Sequence, residues 1–174
     1  YLHSPFSKRD EIKNYNKNRE GGIVFEMQCK YVHELNQKLR ALPNVYYFAR
    51  PACKSHLEGD HWVVDKDASL MARVVGKLTV AGIKYADTEF GFDPQTWAQH
   101  DGFVNTEGGR APYSEPSTTW PGASADPKTL ENGKWYVFEP SDFDHTGLMG
   151  MGVKKDKYHG YLLEIAQQLG ALPE

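Results

Sequence analysis

Residues 61–82 read HWVVDKDASLMARVVGKLTVAG, and two different side-chain periods meet inside this stretch. His61-Trp62-Val63-Val64-Asp65 is short, aromatic and β-branched, which predicts a strand. Asp67 or Ser69 then offers a side-chain oxygen to the unpaired N–H groups of a helix start. Leu70, Met71, Val74, Val75, Leu78 and Ala81 follow on one helical face, and Gly82 stands where a C′ residue takes the left-handed conformation. A strand feeding directly into a capped helix already excludes an all-β or all-α chain.

Working upstream, Asn44-Val45-Tyr46-Tyr47-Phe48-Ala49 lies between Pro43 and Pro51 and reads as a second strand. Before it, Val24, Met27, Tyr31, Leu35, Leu39 and Leu42 keep helical spacing, and Pro43 cannot continue that helix. Gly21-Gly22 separates it from residues 1–20, a polar stretch expected to form an extended arm that lies on a neighbour. Downstream, Ile83-Lys84-Tyr85-Ala86 reads as a strand, and Asp93-Pro94 opens a short helix to about Gln99. Residues 101–133 carry scattered Gly and Pro and no apolar period, which predicts a long irregular loop. Lys134 to Phe138 is a strand, Asp142 to Gly152 a second glycine-rich loop, and Asp156 to Leu169 a final helix that Gly170 ends. The sum is an α+β chain: a single domain over 21–174, with a small mixed β-sheet packed by three main helices.

The chain has 174 residues, with 20 Lys and Arg against 23 Asp and Glu, a formal charge of -3, and 40% hydrophobic residues. That is enough apolar matter for one core. The near balance of charge argues against nucleic acid as a partner, which needs a clustered basic surface. No run of about 18 apolar residues exists to form a transmembrane helix. Cys29 and Cys53 are too few for a disulfide scaffold. Cys29 falls on the apolar helix face and reads as a small hydrophobe, with one bridge open to it if the compartment oxidises. The chain starts at Tyr1, and a processed N-terminus would suit an organelle or a secreted compartment.

Three segments carry chemistry-bearing residues. The first runs from Ser55 to Asp65: His56 and Asp65 are zinc-ligand types, His100 is the natural third, and Glu58 or Glu89 is a candidate general base. In His56, Gly59 and Asp65, with Arg50 upstream and His100 downstream, this half of the chain resembles the D-alanyl-D-alanine carboxypeptidase and phage-endolysin group of zinc peptidases. The resemblance implies a zinc-dependent hydrolase. Against it, His56 and Asp65 stand further apart than in that group, and Trp97 replaces the acid expected before His100. The second segment, Asp142-Phe143-Asp144-His145, gathers two carboxylates and an imidazole that suit a divalent metal. The third, Gly147 to Gly152, has the wrong glycine order for a dinucleotide loop, and its Met149 and Met151 suit an adaptable protein contact. Neither a nucleophile elbow of the G-x-S-x-G type nor a P-loop occurs.

Aromatic residues are 13% of the chain, and several fall in loops or near the ends. With no strong catalytic motif, the sequence favours a non-catalytic accessory or structural subunit of a larger assembly, without a cofactor. Phe6, Phe103, Tyr113, Trp120, Met149 and Met151 would then touch other protein subunits. The alternative is the zinc-dependent, peptidase-like hydrolase with metal ligands His56, Asp65 and His100. A third possibility is a ligand-binding or other enzymatic domain whose site lies under the 101–133 loop.

Overall fold

A computed structural model of the chain describes residues 29–83, 93–122 and 126–173. The expected arm with Phe6, the first turns of the first helix, the strand expected at 84–86 and Glu89 lie outside the described residues. Among those described there are four α-helices: α1 (Cys29–Asn36), α2 (Leu70–Ile83), α3 (Pro94–Trp97) and α4 (Lys155–Gly170). The strands are β1 (Tyr47–Ala49), β2 (Ser55–Glu58), β3 (His61–Val64), β4 (Ser117–Thr119) and β5 (Trp135–Val137). The architecture is a single α+β domain with parallel and antiparallel strands.

The parallel part is a three-stranded sheet in the order β1-β5-β4. Phe48 stands beside Tyr136, and Tyr136 beside Thr118. Strand alternation puts Phe48 and Tyr136 on one face, where Trp120 and Phe138 join them. Trp120 stacks on Phe138 at 4.9 Å and meets Phe48 edge-on at 6.0 Å. On the opposite face Tyr47 and Trp135 lie 4.9 Å apart. β2 and β3 form a separate antiparallel hairpin turned at Gly59, whose φ of 67° is one that glycine adopts without strain.

Helix α2 starts as its sequence predicts, and Ser69 is the cap: its Oγ accepts from Ala72 N–H at 3.2 Å. Asp67 is engaged elsewhere, by Lys54. Gly82 does not end the helix, which runs on to Ile83. Helix α1 stops at Asn36, well before Leu42, because Ser114 Oγ donates to the Asn36 carbonyl and takes the place of a further turn. Leu35, Leu39 and Leu42 of the expected apolar face are all exposed. In α4, Tyr158, Tyr161 and Ile165 are half-buried, whereas Leu162 and Leu169 of the expected stripe are exposed.

The described part of the 101–133 segment is largely irregular, as expected, but it contributes the three-residue strand β4 to the sheet and is tied to the body of the chain by side chains. Thr106 Oγ1 donates to the Ala52 carbonyl at 2.8 Å, and the buried Glu115 accepts from Ala41 N–H at 2.6 Å.

One feature of α2 places the site. Ala72 and Gly76 are buried one turn apart, so the helix has almost no side chain on that flank. The segment His100-Asp101-Gly102 lies directly on it. A Cβ on Gly76 would meet Val64 Cγ2 and, at 2.8 Å, His100 Cε1. A Cβ on Gly102 would stand 2.6 Å from Ala72 Cβ. Small residues on both sides allow backbone to approach helix, and this fixes the height at which Asp101 sits.

Candidate active site

Asp101 and His145 come from two different loops, one following α3 and one following β5. Asp101 is buried, and both its oxygens are engaged. Oδ1 accepts from the Phe103 N–H at 2.9 Å and from the Val104 N–H at 2.8 Å. Oδ2 lies 2.9 Å from His145 Nδ1. The backbones pair as well, with His145 N–H donating to the Asp101 carbonyl at 3.0 Å. A carboxylate only accepts, so the proton on that imidazole edge belongs to Nδ1, and Nε2 is left with a free lone pair. The His145 side chain is 39% exposed, and Phe103 stacks over it at 5.1 Å with a 27° interplanar angle. The result is an imidazole held on one edge by a buried acid and covered on one face, with its basic nitrogen on the other edge. That is the geometry of a general base oriented by a carboxylate.

The loop carrying His145 is held on both sides. Asp144 is buried, and its Oδ1 accepts from Gly147 N–H at 2.7 Å and from Thr146 Oγ1 at 2.8 Å, while Oδ2 accepts from Ser69 N–H at 2.6 Å. Burial pushes the Asp144 carboxyl upward, but the donated hydrogen bonds outweigh it and hold the group below the usual carboxylate range. Asp142 behaves in the same way: burial raises it, and the ammonium groups of Lys157 and Lys54 bring it below its ordinary value. Lys54 is itself buried. Burial works against its charge, yet Asp142 and Asp67 keep it above the ordinary lysine value.

The segment Asp142-Phe143-Asp144-His145 is therefore not a metal cluster. Its three polar side chains point to three different partners: lysines, backbone amides and Asp101. The zinc-ligand candidates are also dispersed in their duties. His56 Nδ1 lies 2.5 Å from Asp65 Oδ1 on the exposed hairpin. His100 is wholly buried, and its Nδ1 accepts from Gly102 N–H at 2.9 Å. Among the described residues no group of three His, Cys, Asp or Glu side chains is arranged to hold a metal ion. Glu58 is exposed at the end of β2. Cys53 is a free thiol whose Sγ donates to the Ser55 carbonyl. Of the residues expected to touch other subunits, Trp120 lies half-buried in the aromatic cluster and Phe103 on His145, while Tyr113, Met149 and Met151 are exposed.

The sequence singles out His145 as part of a metal cluster that the described residues do not form, and it does not single out Asp101. The available signal was weak. An acid that orients a histidine is adjacent in space and not in sequence, and these two stand 44 residues apart.

His100 gives the site a pH dependence of folding. Desolvation lowers its proton affinity, partly offset by the charges of Asp101 and Asp65. Its ordinary value is 6.5, so below that pH the unfolded chain binds a proton that the folded chain refuses. Stability is therefore complete above the unfolded value and falls as the solution is acidified through it. Urea midpoints should drop between about pH 7.5 and about pH 5. In His100→Asn, whose carbonyl still accepts from Gly102 N–H, the same series should be flatter. An equally steep series in the variant would remove His100 as the cause.

No family model matches the chain, and no curated protein sequence matches it either. Solved structures do. The chain superposes on the lipase of Staphylococcus hyicus with a TM-score of 0.69 and 17% identity, covering 94% of this chain and 42% of that one. EstA from Clostridium botulinum gives 0.68 and 18% identity, over 86% of this chain and 34% of that one. Lipase 1 from Pelosinus fermentans gives 0.61 and 21% identity, over 87% and 39%. The chain spans less than half the length of each. This finding overturns the expectation of a non-catalytic accessory subunit, because the fold that presents Asp101 to His145 is one shared with lipases.

Proposed function

We propose that this chain supplies the base and the orienting acid of a serine-type ester hydrolase. His145 is the general base and Asp101 the carboxylate that fixes its tautomer and direction. The observation that carries the reading is the 2.9 Å contact between the buried Asp101 Oδ2 and His145 Nδ1, in a fold like that of two lipases and EstA.

In this role Nε2 takes the proton of an attacking hydroxyl and later returns it to the leaving alcohol. Asp101 stays ionised and stabilises the imidazolium formed in between. Among the described residues no hydroxyl or thiol hydrogen-bonds to Nε2, so we place the nucleophile outside them. The exposed Val104, Met149 and Met151, in the same two loops as the pair, suit an apolar acyl group more than a charged substrate.

The test is hydrolysis of p-nitrophenyl esters of short and long acyl chains by the polypeptide that carries this chain, together with covalent labelling by a fluorophosphonate. Hydrolysis and labelling of one serine are both expected, with the longer acyl chains preferred. A polypeptide that cleaves none of the esters and takes no label would overturn the assignment.

A further inference from the structure

Lys54 is a buried lysine on which no step of the proposed chemistry draws. Its neighbourhood is unusual in connecting both loops of the Asp101–His145 pair. Residues 51–54 run between them and alternate their hydrogen bonds. Ser141 N–H donates to the Pro51 carbonyl at 2.9 Å and Cys53 N–H to the Ser141 carbonyl at 3.0 Å, which ties this segment to the root of the His145 loop. Lys54 N–H donates to the His100 carbonyl at 3.0 Å, one residue before Asp101. The Lys54 ammonium then reaches Asp142 Oδ1 at 2.5 Å, three residues before His145. One residue thus holds the acid's loop by its backbone and the base's loop by its side chain.

We propose that Lys54 is a positioning residue for the Asp101–His145 pair, setting the spacing of the two loops through its clamp on Asp142. The inference rests on the hydrolase reading above. A second carboxylate on the same ammonium separates this role from simple charge compensation. Asp67 lies 2.9 Å from Lys54 Nζ but belongs to the turn before α2 and carries neither member of the pair. If Lys54 merely needs counter-charge, Asp67 matters as much as Asp142. If it positions the loops, only Asp142 matters.

The variants are Lys54→Met, Asp142→Ala and Asp67→Ala in the full polypeptide. Met is close to lysine in length; Asp142 and Asp67, which it would release, are largely exposed, and Asp65, 3.8 Å from the ammonium and 28% exposed, keeps its contact with His56. Asp142→Ala changes an exposed side chain and leaves the Lys54 ammonium its contacts with Asp67 and Asp65, so it keeps the test decisive if Lys54→Met folds poorly. Two quantities are read: kcat and KM for ester hydrolysis, and the far-downfield proton resonance of a His Nδ1–H bound to a carboxylate. Displacement of a catalytic group by about 1 Å costs on the order of 100-fold in rate. Lys54→Met and Asp142→Ala should lower kcat by roughly 10- to 100-fold with KM little changed, and should shift or broaden the resonance. Asp67→Ala should leave both unchanged.

Equal losses in all three variants would overturn the proposal, as would an Asp142→Ala protein with normal kcat and an undisturbed resonance. A wild-type protein with no such resonance would sink the pairing of Asp101 with His145, and this inference with it. A wild-type resonance that survives in both Lys54→Met and Asp142→Ala would sink the inference alone.

Discussion

Asp101→Asn should lower kcat/KM for ester hydrolysis by about 10^4-fold while the protein stays folded. The size follows from where the new amide must point. Oδ1 accepts two backbone N–H groups, from Phe103 and Val104, and only the amide oxygen can replace it there. The NH2 group is then forced to the place of Oδ2, facing His145 Nδ1. A donor at that position makes Nδ1 the acceptor and moves the imidazole proton to Nε2. The nitrogen that should take a proton from the nucleophile already carries one. His145→Ala should be at least as damaging, and the double variant little worse than the worse single one, because the two residues act as a unit. Steady-state kinetics on the three proteins, with circular dichroism to follow the fold, settles the matter. A loss below about tenfold in Asp101→Asn would mean that Asp101 does not orient the base.

The largest effect on folding should come from Gly102→Ala. Gly102 has φ of 103°, a region that residues with a Cβ rarely enter. The added methyl would also stand 2.6 Å from Ala72 Cβ and 2.9 Å from Ala72 Cα. The Cα belongs to helix backbone and cannot rotate aside. Backbone strain and overpacking each cost about 1–3 kcal/mol, so a combined loss of about 3 kcal/mol or more is expected. That is a large share of the stability of an ordinary domain. Urea unfolding gives the measurement, and a loss under about 1 kcal/mol would show that α2 yields easily to the Asp101 segment. The same variant should lose activity, since Asp101 is the preceding residue.

The fold was legible where local signals agreed. Helix α2 has its capping serine, and Trp135–Val137 is an aromatic and β-branched run. The apolar face of α2 misled, because Leu70, Met71 and Val74 are exposed and the buried flank is Ala72 and Gly76. β4 was not legible. Ser117-Thr118-Thr119 has no apolar alternation, and only Thr118 is half-buried. Its place in the sheet comes from parallel pairing to β5, an interaction between distant parts of the chain that no window of sequence contains. The end of α1 was missed for a similar reason, since the hydroxyl that takes its last carbonyl comes from Ser114.

For the site, residue type was legible and partnership was not. Asp142, Asp144 and His145 stand together in sequence and suggested one metal. In the fold each turns to a different neighbour, and the acid that matters to His145 arrives from residue 101. A nucleophile motif or a zinc pattern is what marks a hydrolase in sequence, and an Asp and a His 44 residues apart leave no such signature.

The parallel sheet has one more consequence, for the order in which the molecule assembles. Between Asp101 and His145 the chain must pass through β4 and β5, and β5 is central only once β1, from far upstream, has docked on its other edge. Closing such long loops is entropically unfavourable until the pairings they enable are made, and parallel pairings of high sequence separation form slowly. His145 can meet Asp101 only after that docking. Their pairing is thus among the last contacts the folding polypeptide makes, and a chain stalled with its helices already formed would lack it.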